Sequence, residues 1–351
     1  MGALPWLFVH EYVTGGGLSS RELPGELAAE GAAMLRAVLA DCAAWGGVRT
    51  LSTLDWRLAD VELPAEHIIR VVPGGHAPAF RAALARCDAA LVIAPETAGL
   101  LAELNGRVLE AGACLVGSAP EAVRLAGDKW ACYQRWLAAG VPTPLTSLAD
   151  PGTAVPAAQD LGYPVVVKPV DGVGCEGVSL ARDDRELGLA LALIDLIEPR
   201  PRILLQRYLP GKPASVSLMV AGDRVLPLSL NSQDIRVGRP FSYRGGAVPL
   251  AHPLRDEALA VAVAAAGAVP GLQGYVGVDL VLDDSQAWAV ELNPRLTTAY
   301  VGLRRVASIN LARAMWEACT QGALPASVAL AGQASFGKDR PGGLWEAGWQ
   351  R

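Results

Sequence analysis

No C-x-x-C pair occurs in this sequence. Its six cysteines, Cys42, Cys87, Cys114, Cys132, Cys175 and Cys319, stand singly, and no histidine follows one at a metal-site interval. That excludes a zinc module and a dithiol centre. They read as small buried hydrophobes in a reducing compartment. Basic residues are also scarce: 30 Lys and Arg face 35 Asp and Glu, a net charge of −5. A nucleic-acid backbone is therefore not the expected partner, although acidic small substrates stay open through local basic clusters. A signal peptide is not expected either, because the apolar run Leu4–Val9 ends at His10 and Glu11 without a basic flank. One uncharged run, Ala258–Val278, has the length of a membrane span, but Pro270-Gly271 and Gln273-Gly274 interrupt it. Helix, turn and strand describe it better. The expectation is a cytoplasmic protein with neither a nucleic acid nor a membrane as partner.

What is present is enough apolar material for more than one core. Hydrophobic residues make up 52% of 351 residues, and that length predicts two or three domains. In the first third, strand-like runs at Leu7–Val9, Val48–Leu51, His67–Val72, Ala89–Ile93 and Ala113–Val116 alternate with helical segments. The alternation predicts an α/β domain with a mostly parallel sheet over residues 1–120. A helix over Asp128–Ala139 should stop at Gly140, with Pro142 and Pro144 beyond. From Pro164 onward short Val-, Leu- and Ser-rich runs dominate, which predicts antiparallel sheets of an α+β kind. The expected divisions are 121–200, 201–325 and a Gly-rich tail, 326–351.

The densest chemistry lies late in the chain. Gly277-Val278-Asp279-Leu280-Val281-Leu282, an acidic turn, and Ala287 through Glu291-Leu292-Asn293-Pro294-Arg295 read as a β-hairpin. Alternation puts Glu291 and Asn293 on one face, and a turn centred near Ser285 sets Asp279 almost opposite Glu291. Two carboxylates buried together need a cation, and a hard oxygen set suits Mg²⁺ completed by phosphates. Arg295 would hold a phosphate or carboxylate through a forked contact. A solvated surface hairpin is the alternative, disfavoured by the apolar flanks.

A second constellation is Pro164-Val165-Val166-Val167-Lys168-Pro169 followed by Asp171-Gly172-Val173-Gly174-Cys175-Glu176-Gly177. A lysine ending a buried strand needs an anion, and a glycine-rich loop lets backbone N–H groups approach phosphates. The spacing matches neither a P-loop nor a dinucleotide fingerprint. Gln206-Arg207-Tyr208-Leu209-Pro210-Gly211 could offer hydrogen bonds to an adenine edge, and Asp128-Lys129 opens a helix. Each of these two alone reads as an ordinary strand end and a solvated lysine.

Taken in order, these elements resemble the ATP-grasp superfamily over about residues 120–310. The resemblance implies ATP between two α+β lobes, behind an N-terminal Rossmann-like pre-ATP-grasp domain. It implies Lys129 and Lys168 on phosphates with Gly172, Gly174 and Gly177, and Gln206, Arg207 and Leu209 at the adenine hinge. Asp279, Glu291 and Asn293 would hold Mg²⁺, with Mn²⁺ as a substitute, and Lys168 and Arg295 would act in catalysis. One departure is Pro213-Ala214 before Ser215-Val216, where many members carry an acid that contacts ribose. Within the superfamily, His10-Glu11-Tyr12-Val13-Thr14-Gly15-Gly16-Gly17, Gly211 through Ser217, and Leu228 through Gln233 are similar to tyramine–glutamate ligases of methanofuran-type cofactor biosynthesis.

The implied activity joins a small-molecule carboxylate to an amine through an acyl phosphate, with glutamate and tyramine as the first expectation. A homodimer is an allowed assembly. Gly15, Gly16, Gly17, Arg236 and Arg244 are candidate substrate contacts, the two arginines being equally explained as solvated. The alternatives are another ATP-grasp ligase making a dipeptide or amino-acid conjugate, and an ATP-binding regulator without turnover. A dehydrogenase built on Gly15–Gly17 has the wrong spacing.

Overall fold

The computed structural model describes residues 3–172, 174–197, 202–337 and 348–350. Val173 of the glycine-rich segment and most of the tail beyond 337 lie outside them. In the first domain, β1 (Trp6–Glu11), β2 (Arg49–Asp55), β3 (His67–Val71), β4 (Ala89–Ile93) and β5 (Cys114–Leu115) form a parallel sheet in the order β3-β2-β1-β4-β5. Helix α1 (Gly25–Trp45) covers one face, and α2 (His76–Leu84) and α3 (Leu100–Glu110) cover the other. Burial on both faces is why β1 and β4 read as continuous apolar runs rather than alternating ones.

Helices α4 (Pro120–Gly127) and α5 (Lys129–Ala138) lead out of this domain. The Asp128 carboxylate accepts from the backbone N–H groups of Trp130 and Ala131, both at 3.0 Å. That cap starts α5 at Lys129 and so fixes where this lysine projects.

A four-stranded antiparallel sheet follows, built from β6 (Thr146–Ala149), β7 (Val165–Pro169), β8 (Ser179–Ala181) and β9 (Ile203–Arg207) in the order β6-β9-β7-β8. It packs on α6 (Ala154–Leu161) and α7 (Asp184–Ile197) around a core of its own. Because β9 pairs within this sheet, the small lobe runs to Arg207, past the expected division at residue 200.

The remainder forms a seven-stranded sheet from β10 (Lys212–Ala221), β11 (Arg224–Arg236), β12 (Ser242–Val248), β13 (Gly274–Leu282), β14 (Ala287–Asn293), β15 (Gln333–Gly337) and β16 (Gly348–Gln350). Its order is β14-β13-β10-β11-β12-β15-β16, so the Gly-rich tail supplies an edge of the sheet. Helix α8 (Arg255–Gly267) packs on one face. The suspected membrane run thus resolves into α8, a turn and β13. Among the described residues no helix is long and apolar enough to cross a membrane.

Helices α9 (Ala299–Val306) and α10 (Leu311–Gln321) lie against α1 in an apolar core shared by the first domain and the large sheet. A polar junction runs through the same contact. The buried Asp41 of α1 accepts from Tyr300 Oη at 2.7 Å and from Arg304 Nε at 2.9 Å, while its backbone oxygen accepts from Asn310 Nδ2 at 2.7 Å.

Candidate functional site

The hairpin β13–β14 has an irregular register. Leu282 pairs with Ala287, Val281 with Trp288 and Leu280 with Ala289, but Asp279 pairs with Glu291 and Gly277 with Asn293. Val290 is therefore an extra residue in β14, a β-bulge. Continued without it, the ladder would set Val290 opposite Asp279 and turn Glu291 to the other face. With it, Asp279, Glu291 and Asn293 share one face.

These residues line a cavity of about 250 Å³ between the small and large sheets. Asp279 Oδ1 accepts from Gln233 Nε2 at 2.8 Å, and Oδ2 accepts from Asn293 Nδ2 at 3.2 Å. Burial, and then the Glu291 charge, push the Asp279 carboxyl up to about 7. Glu291 forms an ion pair with Lys129 at 3.1 Å. Two acids so crowded that one resists ionisation are a ready seat for a divalent cation. Among the described residues no three His, Cys, Asp or Glu side chains converge as a metal cluster. The oxygens gathered on this face are those of two carboxylates and the Asn293 carboxamide.

Lys168 faces this set from β7. It is 4% exposed, and its Nζ donates to Gln206 Oε1 at 3.0 Å. Gln206 Nε2 in turn donates to Thr146 Oγ1 at 2.9 Å. Burial brings the Lys168 ammonium down to about 8, against the pull of Glu291. The Gln206 side chain, expected at an adenine edge, lines the cavity and orients Lys168. Lys129 Nζ also donates to the backbone oxygen of Gly172, which ties α5 to the glycine-rich loop.

The structure brings Lys168, Gly174, Gln206, Arg207, Leu209 and the three hairpin residues to the cavity, with Arg295 beside them. Gly172 and Gly177 are not among the lining residues and lie near the Pro169 ring. Three other expectations are corrected. Gly15, Gly16 and Gly17 do not line the cavity, because they form a buried turn packed on His10, Val71 and Tyr12, where any Cβ would come within 2.3–2.7 Å of those side chains. Arg236 is exposed and alternates with Gln233, Ile235 and Val237, which line the cavity. Arg244 is exposed as the extra residue of a bulge in β12.

Arg295 lies 3.0 Å from the Glu96 carboxylate, an ion pair whose N–H points off the line of contact. Gln233, Glu30, Glu96 and Tyr243 were not singled out in the sequence. The parity of Gln233 and Ile235 along β11 signals the first; Glu30 and Glu96 arrive only through tertiary packing.

Residues 48–123 match a family model described as a pre ATP-grasp 3 domain, and residues 126–299 match one described as an ATP-grasp domain. The chain belongs to the ATP-grasp superfamily. It is 31% identical over 224 residues to the tyramine–L-glutamate ligase of Methanocaldococcus fervens, covering 64% of each chain. It is 34% identical over 188 residues to the D-alanine–D-alanine ligase of Synechococcus sp. strain JA-3-3Ab, covering 50% of this chain and 57% of that one. The chain thus spans about 57–64% of the length of these curated relatives. A solved structure from Archaeoglobus fulgidus, provisionally assigned to the ATP-grasp superfamily, superposes over 99% of both chains with a TM-score of 0.72 and 25% identity.

Proposed function

We propose that this ATP-grasp protein is an ATP-dependent ligase that joins a carboxylate to an amine and releases ADP and phosphate. The acid is glutamate, and the acceptor is a primary arylalkyl amine such as tyramine, serving methanofuran-type cofactor assembly in the cytoplasm. The carrying observation is that Lys168, Asp279, Glu291 and Asn293 line one cavity between two sheets, with Lys129 paired to Glu291. The named ligases among its relatives support the same reading.

Asp279, Glu291 and Asn293 fit a divalent cation, Mg²⁺ or Mn²⁺, by their oxygen chemistry and by the reluctance of Asp279 to ionise beside Glu291. Such an ion supplies neutralisation of phosphate charge. The chain's own groups do the rest. Lys168, held by Gln206, and Lys129, held at the glycine-rich loop, would supply ammonium groups to phosphate oxygens. Fixed donors that meet developing charge are worth far more in an enclosed site than in water. Arg295 orients the acid. A carboxylate oxygen of the acid then attacks the γ-phosphorus and ADP departs. The free-base amine attacks the acyl carbon, phosphate leaves, and the extra proton passes to solvent. No nucleophilic side chain is needed, and positioning supplies much of the rate.

The test incubates the protein with ATP, Mg²⁺, glutamate and a panel of amines, and identifies any amide by mass. Amide formation only with an amino-acid acceptor would favour the dipeptide reading that the D-alanine ligase relative suggests. Absence of ADP with every pair would sink the ligase reading.

A further inference from the structure

The order of the parallel sheet reverses between β1 and β4, and open α/β sheets take their ligands in the crevice beyond the strand ends at such a point. Here the segment after β4 meets Arg295, which follows the large-sheet hairpin. Glu96, three residues past β4, lies 3.0 Å from Arg295 Nε, and the Arg295 charge also acts on Glu11 at the end of β1. Local structure fixes where Glu96 points. The backbone is helical at Glu96 and left-handed at Ala98, with φ 54°, a strained conformation for a residue with a Cβ. The Ala98 N–H donates to Asp171 Oδ2 at 3.1 Å, which holds that turn. Beside Glu96, α4 closes with Gly127, where a Cβ would lie 3.1 Å from the Glu96 Cβ. The Glu96 side chain is thereby buried, 8% exposed, with Arg295 as its charge partner.

Resting on the ligase reading above, we propose that Glu96 is a positioning residue for the acid substrate and acts through Arg295. A guanidinium offers five N–H donors in a rigid fork. Glu96 stands at Nε, and Nη1 donates to the backbone oxygen of Leu296 at 3.2 Å. The edge that remains, Nη2 with the outer N–H of Nη1, is the one a carboxylate can meet through two parallel bonds, and Arg295 lines the cavity. Burial disfavours the Arg295 cation, and among the charges that favour it Glu96 comes first, ahead of Glu30 and Glu291. Without Glu96 the guanidinium stays charged but is no longer held from behind. The acid would then meet a side chain that must be ordered on binding. The penalty falls on the acid and not on ATP, because Lys129 and Lys168 are held by other groups.

The experiment uses the full chain with ATP, Mg²⁺, L-glutamate and hydroxylamine, which traps the acyl phosphate as a hydroxamate whatever the natural amine is. Glu96→Gln should raise the KM for glutamate about 10-fold, the lower end for a charge-assisted contact, and leave the KM for ATP unchanged. Glu96→Asp keeps the charge one methylene further back. It should give an intermediate KM, and it supplies the same readout if Glu96→Gln does not fold. Arg295→Ala should raise the KM for glutamate further, and either Glu96 change added to it should then have no effect, since the group it positions is gone. A rise in the KM for glutamate that persists in the Arg295→Ala background, or one matched by the KM for ATP, overturns the positioning role alone. An unchanged KM for glutamate in a folded Glu96 variant does the same. A wild type that forms no hydroxamate overturns the ligase reading and this inference together.

Discussion

Glu291 stands directly across the ladder from Asp279 because Val290 bulges out of β14. The relationship turns an ordinary hairpin into a seat for positive charge. A one-residue change of register would carry the Glu291 carboxylate to the opposite face of the sheet.

Asp279→Asn with Glu291→Gln should abolish ADP formation while leaving the fold intact. ADP release and the thermal midpoint together check this. Normal turnover by the double variant would remove the hairpin from the site.

The same acids predict a pH effect in the metal-free protein. Asp279 is raised from 3.8 to about 7 in the folded state. Its contribution is therefore fully present below pH 4 and is lost as pH rises through about 7. The whole lift is worth at most about 4 kcal/mol. In EDTA, Asp279→Asn should become progressively more stable than the wild type between pH 5 and pH 7.5. Thermal midpoints across that range test it, and a constant difference would contradict it.

Lys168 sits near 8 because burial disfavours its charge. The free protein loses this ammonium as pH rises through about 8, so the KM for ATP should climb between pH 7.5 and pH 9.5. Lys168→Arg keeps its charge throughout and should flatten the profile. Identical ATP profiles for the two proteins would place Lys168 away from the phosphates.

Gly31→Ala adds a good helix former to α1, worth about 1 kcal/mol in an exposed helix. Here the new methyl meets the Glu11 carboxylate, so a net loss of about 1–3 kcal/mol is expected. Urea unfolding measures it, and a stabilised variant would disprove the close contact.

Much of the architecture was legible because it rests on local pattern. Strand–helix alternation marked the parallel domain, and Asp128 with Gly140 bracketed α5 within one residue. The Asp279-to-Asn293 hairpin was legible from two apolar runs around an acidic turn. What the sequence concealed depends on register and tertiary contact. The bulge at Val290 has no local signature. Arg236 stood open between a substrate contact and a solvated residue; with β11 running to Arg236, the alternation of Gln233 and Ile235 turns the arginine outward. Nothing in the chain announces that Thr146 and Lys168 will flank Gln206. Glu30 is more than a hundred residues from Pro144, the next lining residue along the chain, and only the packing of α1 delivers it.

The Asp41 junction also decides which part of the molecule can swing. Tyr300, Arg304 and Asn310 rivet the first domain to the seven-stranded sheet, and one apolar core runs through both. The four-stranded sheet has a core of its own. An opening wide enough to admit a nucleotide should therefore move that smaller jaw, carrying Lys168 with it, and must break its backbone bonds to the segment between β11 and β12.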